Sequence, residues 1–214
     1  MVAHHIHHAL AQVKELQQKI LDKQRFKGYS GRARAIAGTF ALITAIVMSQ
    51  SFYPQTSTAQ FLGWAILFVI AITLNYGAIV YWFLFDPLVN RDVRKLKPIV
   101  DIVPPIIVGG LFTLIFMLHH HHQYLFGMWM MLFGLANFAT RHVVPREITL
   151  VGLFYVICGF LTLYFWSEEQ SFLNPWPMGI IFFIGEWFGG VILHFGKNAY
   201  LFHHHLLNRE YRRL

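Results

Sequence analysis

One carboxylate, Glu186, stands inside a long apolar run, Phe183-Ile-Gly-Glu186-Trp-Phe-Gly-Gly-Val, and no residue of this chain is better placed to do chemistry. A charge at the centre of a membrane helix costs about 2.5–3.5 kcal/mol on insertion scales. Such a group either takes up a proton or faces a wet, hydrogen-bonded interior. Gly185 and Gly189 have the small-xxx-small spacing that lets another helix approach closely, and Gly190 follows. Asn75 and Asn137 lie in two other apolar runs and are the expected polar neighbours. Glu186, Asn75 and Asn137 are therefore expected to form an intramembrane polar site that moves or senses a proton, a small cation or a metal ion. The blander reading makes Glu186 a neutral hydrogen-bonding contact between helices.

The chain holds 13 histidines. His119, His120, His121 and His122 are consecutive, a second group is His4-His5-Ile-His7-His8, and a third is His203–His205. Imidazole binds zinc, copper and nickel readily, and His4 and His8 are one helical turn apart. A transition-metal ion is accordingly a possible cofactor at His119–His122 or at His4 and His8, although no carboxylate or cysteine adjoins the consecutive tract to complete a defined site. His142 and His194 close two apolar runs at the same end. Facing histidines of a helical bundle can hold a b-type haem, which makes this pair an alternative redox site. The competing reading places both at the interface, bonded to helix-end carbonyls or headgroups.

The elements that position these residues are read from hydropathy. The 214 residues are 56% hydrophobic and 13% charged, far from the balance of a soluble domain. Six apolar stretches approach the roughly 20 residues that cross a bilayer as helix. They are Ala35–Phe52, Phe61–Phe85, Ile99–Leu118, Tyr124–Thr140, Ile148–Trp166 and Trp176–Phe195. The expected fold is all-α and polytopic, with six transmembrane helices in three hairpins. Residues 35–196 form the membrane domain, preceded by 1–34, an amphipathic helix and basic linker, and followed by the basic tail 197–214.

The net charge of +7 does not mark a nucleic-acid binder, because its placement is one-sided. Basic residues precede the first stretch (Lys14 to Arg34) and follow the second (Arg91, Arg94, Lys95, Lys97), the fourth (Arg141, Arg146) and the sixth (Lys197, Arg209, Arg212, Arg213). The connections Tyr53–Gln60, His119–Gln123 and Ser167–Asn174 carry none. The positive-inside rule then sets both termini in the cytoplasm of a cell membrane, expected to be a bacterial inner membrane, with anionic headgroups as partners of the basic face.

Ile6, Ala9, Val13, Leu16 and Ile20 repeat with heptad-like spacing, which suits a helix on the membrane surface or a dimerisation seam. That seam and the glycine faces support the alternative function, a non-catalytic accessory or scaffold subunit, as a homo-oligomer or within a membrane complex. A pattern Gly-x-Phe-x-[Leu/Val]-Ile begins at Gly38, Gly110 and Gly152, with Gly63, Gly127 and Gly179 early in the following stretches. It suggests three parallel hairpin repeats. Cys158 is the only cysteine, so neither a disulfide framework nor a thiolate cluster is available. Gly-x-x-x-x-Gly-Lys-Ser/Thr, Gly-x-Ser-x-Gly and His-Glu-x-x-His are all absent, and nothing in the sequence points to an enzyme.

Overall fold

The structure is a computed structural model that describes Val13 and residues 28–85, 96–166 and 168–211, with the backbone alone at 97, 98, 169, 170 and 196–211. The described residues are helical, with α1 at Gly31–Met48, α2 at Ser57–Phe85, α3 at Val103–Leu118, α4 at Leu125–Ala139, α5 at Ile148–Phe165 and α6 at Trp176–Tyr211. A single turn, Lys97–Val100, leads into α3. The N-terminal seam, His4 and His8 lie outside the described residues.

Local chemistry explains several boundaries. Ser30 caps α1, its hydroxyl accepting from the Ala33 amide at 3.2 Å. Pro104 falls in the first turn of α3, where a missing amide proton costs nothing. Four helices are long and apolar enough to cross a membrane: α1, α2, α5 and the segment Trp176–Phe195 of α6. The other two are shorter, 16 residues in α3 and 15 in α4. At 1.5 Å per residue they measure about 24 and 23 Å. Six full spans are thus not established by helix length.

Two boundaries differ from the hydropathy reading in ways that matter. α1 starts four residues earlier, at Gly31, and so takes Arg34 into its second turn. α6 continues unbroken to Tyr211 through most of the basic tail.

Lipid-like exposure is extensive. Ile66, Val69, Leu111, Leu114, Leu150 and Phe188 are among many exposed apolar side chains. That surface is compatible with insertion into a bilayer. The closest helix contacts run through small residues. The most extensive packing is between α1 and α6 and between α4 and α5. A methyl group at Gly190 would lie 2.6 Å from the Gly31 carbonyl oxygen. One at Gly134 would lie 2.7 Å from that of Gly152, and one at Gly127 2.7 Å from that of Gly159. These backbones touch because there is no side chain between them, which is how membrane helices gain dispersion contact.

Candidate functional site

Glu186 meets Arg34 across the α1–α6 seam. The methyl that Gly38 lacks would lie 2.7 Å from the Glu186 Cβ, so α1 can pass close to the carboxylate only at this glycine. Arg34 Nη2 donates to Glu186 Oε1 at 3.0 Å, and Nε stands 2.9 Å from Oε2. The second contact is at ion-pair distance without the alignment of a hydrogen bond. Two contacts from one planar guanidinium to both carboxylate oxygens make a fork, the geometry that arginine provides and lysine does not.

Two further helices complete the cluster. Arg34 Nη2 also donates to Asn137 Oδ1 on α4 at 2.9 Å. The Tyr155 hydroxyl of α5 donates to Glu186 Oε1 at 3.0 Å. Glu186 is 5% exposed, Asn137 6% and Tyr155 not at all, so the charges have left water and depend on one another. The Asn137 amide is turned by its own helix, donating to the Phe133 carbonyl at 2.8 Å, which aims its oxygen at Arg34. Gly185 makes room for the Tyr155 ring, since a methyl there would come 2.5 Å from the phenol oxygen.

The cluster opens onto a cavity of about 150 Å³. Its walls are mostly apolar, with Phe68, Ile72 and Ile79 from α2, Ile106 from α3 and Trp129 and Leu132 from α4. Arg34, Glu186, Asn137, Asn75, Tyr29 and Tyr76 are the polar exceptions that matter for recognition. Lining residues come from around the starts of α1, α3 and α5, from the middle of α2, from α4 and from the first half of α6. The cavity lies beside the residues that precede α1, α3 and α5. Tyr29, just before α1, is held protonated well above the usual phenol range by burial and by the neighbouring Tyr76. It offers the cavity a hydrogen-bonding group, not a charge.

Of the residues singled out in the sequence, Glu186 and Asn137 come together through Arg34. Asn75 lines the same cavity, but its amide donates to its own helix at Ala71, 2.9 Å away. Sequence reasoning missed Arg34, counted only as a topology charge, and Tyr155, an unremarkable tyrosine in an apolar run. The signal for Arg34 is its place, one residue outside an apolar stretch whose end the charge itself sets.

The consecutive histidines serve a helix end. His119 caps α3, His120 adopts the left-handed backbone at φ 60°, and the His121 amide donates to the Phe116 carbonyl at 2.8 Å. This is a Schellman-type stop, in which histidine fills the place usually given to glycine. His122 stacks on Phe172 with ring centroids 5.9 Å apart. Burial, with His120 and His121 nearby, lowers its pKa below the usual 6.5. Among the described residues no three His, Cys, Asp or Glu side chains gather where they could hold a metal ion. His142 is exposed and accepts from Arg141 Nε at 3.3 Å, and His194 is exposed with its ring against Phe195. Neither lines the cavity.

No protein-family model, curated protein or solved structure matches this chain.

Proposed function

We propose that the chain is a membrane protein of six spans with both termini in the cytoplasm, in which proton exchange at Glu186 is coupled to the binding and passage of a small solute. The observation that carries this reading is the Arg34–Glu186 pair, fixed by Tyr155 and Asn137 at the wall of a cavity. Among the species that an intramembrane carboxylate can serve, the geometry favours a proton over a metal ion. Arg34 already compensates Glu186, so a further cation would meet no net negative charge. A proton acts differently, because it neutralises the carboxylate and releases the guanidinium toward the cavity. Protonation thereby converts a closed ion pair into an open cation site for the solute.

Support for six spans comes from the starts of α1, α3 and α5 meeting at one cavity and from the one-sided charge. The structural alternative, an assembly subunit, drew on the glycine faces and the N-terminal seam. Gly185, Gly189 and Gly190 are taken up inside the chain, against Tyr155, Arg34 and Gly31, and the seam lies outside the described residues.

The test is pH-difference infrared spectroscopy of the protein in lipid, comparing wild type with Glu186→Gln. The wild type should show a protonated-carboxyl band that grows as pH falls and is missing from the variant. Proton uptake by proteoliposomes, followed with an internal pH dye, should be lost in the same variant while the protein still elutes as a folded species. A spectrum without any band specific to Glu186 across the accessible pH range rules out the proton link.

A further inference from the structure

Successive hairpins should meet along three seams: α6 with α1, α4 with α5, and α2 with α3. Two of them are closed by glycines, as described above. At the third, α2 and α3 make almost no contact among the described residues. Gly110, which occupies in the Gly-x-Phe pattern the place of Gly38 and Gly152, has nothing within 4 Å of a methyl built on it, and neither has Gly77 of α2. The cavity lies where this seam would close. Ile72, Asn75 and Ile79 face it from α2, and Ile102, Pro105 and Ile106 from the α3 side.

We propose that the cavity is a binding site for a single-chain amphiphile with a carboxylate head, entered sideways from the membrane through the open α2–α3 seam. The occupant follows from size, polarity and charge. An engineered apolar cavity of about 150 Å³ admits a benzene-sized guest. A cavity of similar size here takes a head and the first carbons of a chain, while the rest leaves through the seam into lipid. The walls suit methylenes, and Arg34 is the only Lys or Arg among the lining residues. Its fork already holds one carboxylate, that of Glu186, and fits another in the same way.

This inference rests on the proton-linked reading above and supplies its solute. When Glu186 takes up a proton, the incoming carboxylate replaces it at Arg34, so one proton and one anion enter together and the charge of the site is unchanged. The groups facing Glu186 are Arg34 from α1, Tyr155 from α5 and, through Arg34, Asn137 from α4; Tyr29 and Tyr76 add the phenols of the lining.

Trp129 lines the cavity and serves as the reporter. The full-length protein in phosphatidylcholine nanodiscs is titrated with dibrominated stearic acid or the matching dibrominated alcohol. Trp129 quenching is the difference between wild type and Trp129→Phe. The acid should quench saturably at a mole fraction at least about tenfold below that of the alcohol, a gap of about 1.4 kcal/mol. Ala71→Leu, which fills the cavity, should abolish the effect, with Ala136→Leu as a second filling variant if the first fails to fold. At pH values where the acid itself is ionised, Glu186→Gln should bind it more tightly than the wild type and with no further dependence on pH. Equal quenching by the alcohol, or quenching that survives both filling variants, overturns the amphiphile site. Head-specific, cavity-dependent quenching that ignores pH in the wild type overturns the proton link and upholds the site. A titrating Glu186 without preference for the acid does the reverse.

Discussion

At the scale of the residue, the pair Arg34–Glu186 decides what the protein tolerates. Removing one member strands a buried charge, a change that commonly costs about 3–5 kcal/mol. Glu186→Ala should therefore destabilise the protein by an amount in that range. The double variant Arg34→Met/Glu186→Leu, which replaces both charges with apolar side chains, should recover most of the loss. Thermal unfolding in detergent measures both, and equal stability of wild type and Glu186→Ala would show that the pair carries little energy. Glu186 was legible in the sequence because a carboxylate amid apolar residues has no inexpensive explanation. Arg34 was not, because hydropathy treats a charge as the edge of a span. A buried partner makes that edge movable by a turn. Asn75 and Asn137 looked alike in sequence, and only helix rotation separates the one that reaches Arg34 from the one that bonds its own backbone.

At the scale of the element, glycine spacing determines which helices touch. Gly134 and Gly152 face each other, so Gly134→Leu must push α4 off α5 and should cost about 1–3 kcal/mol, as overpacking does elsewhere. Gly110→Leu meets open space and should change stability by less than about 0.5 kcal/mol, as uncrowded positions do. Unfolding of the two variants side by side distinguishes a packed seam from an open one; equal losses would mean that the α2–α3 seam is closed in the membrane. The sequence repeat anticipated equivalent places for Gly38, Gly110 and Gly152. Two of the three do pack closely against a neighbouring helix, and the exception, Gly110, stands exposed on α3. The histidine tract shows the opposite limit: its residue type suggests metal chemistry, and its backbone also supplies a helix stop, which residue type alone does not reveal.

At the scale of the whole molecule, charge placement predicts helices that alternate in direction, and the starts of α1, α3 and α5 meet at the cavity. Span count was less legible, since α3 and α4 are shorter than their apolar runs. Single cysteines introduced into a Cys158→Ser background test the orientation. Gln55→Cys should react with an impermeant thiol reagent added outside intact cells, and Arg141→Cys should react only after the membrane is opened. Labelling of Arg141→Cys from outside would reverse the proposed orientation. The pairing of α1 with α6 also constrains how the protein is made. Arg34 and its partner Glu186 are 152 residues apart, so the pair cannot close until α6 has been synthesised. A ribosome reaches Glu186 only after α1 to α5 are complete, and over that interval burial of the Arg34 guanidinium has no compensation from this carboxylate. A chain cut short of Glu186 should therefore be less stable in the membrane than the whole protein.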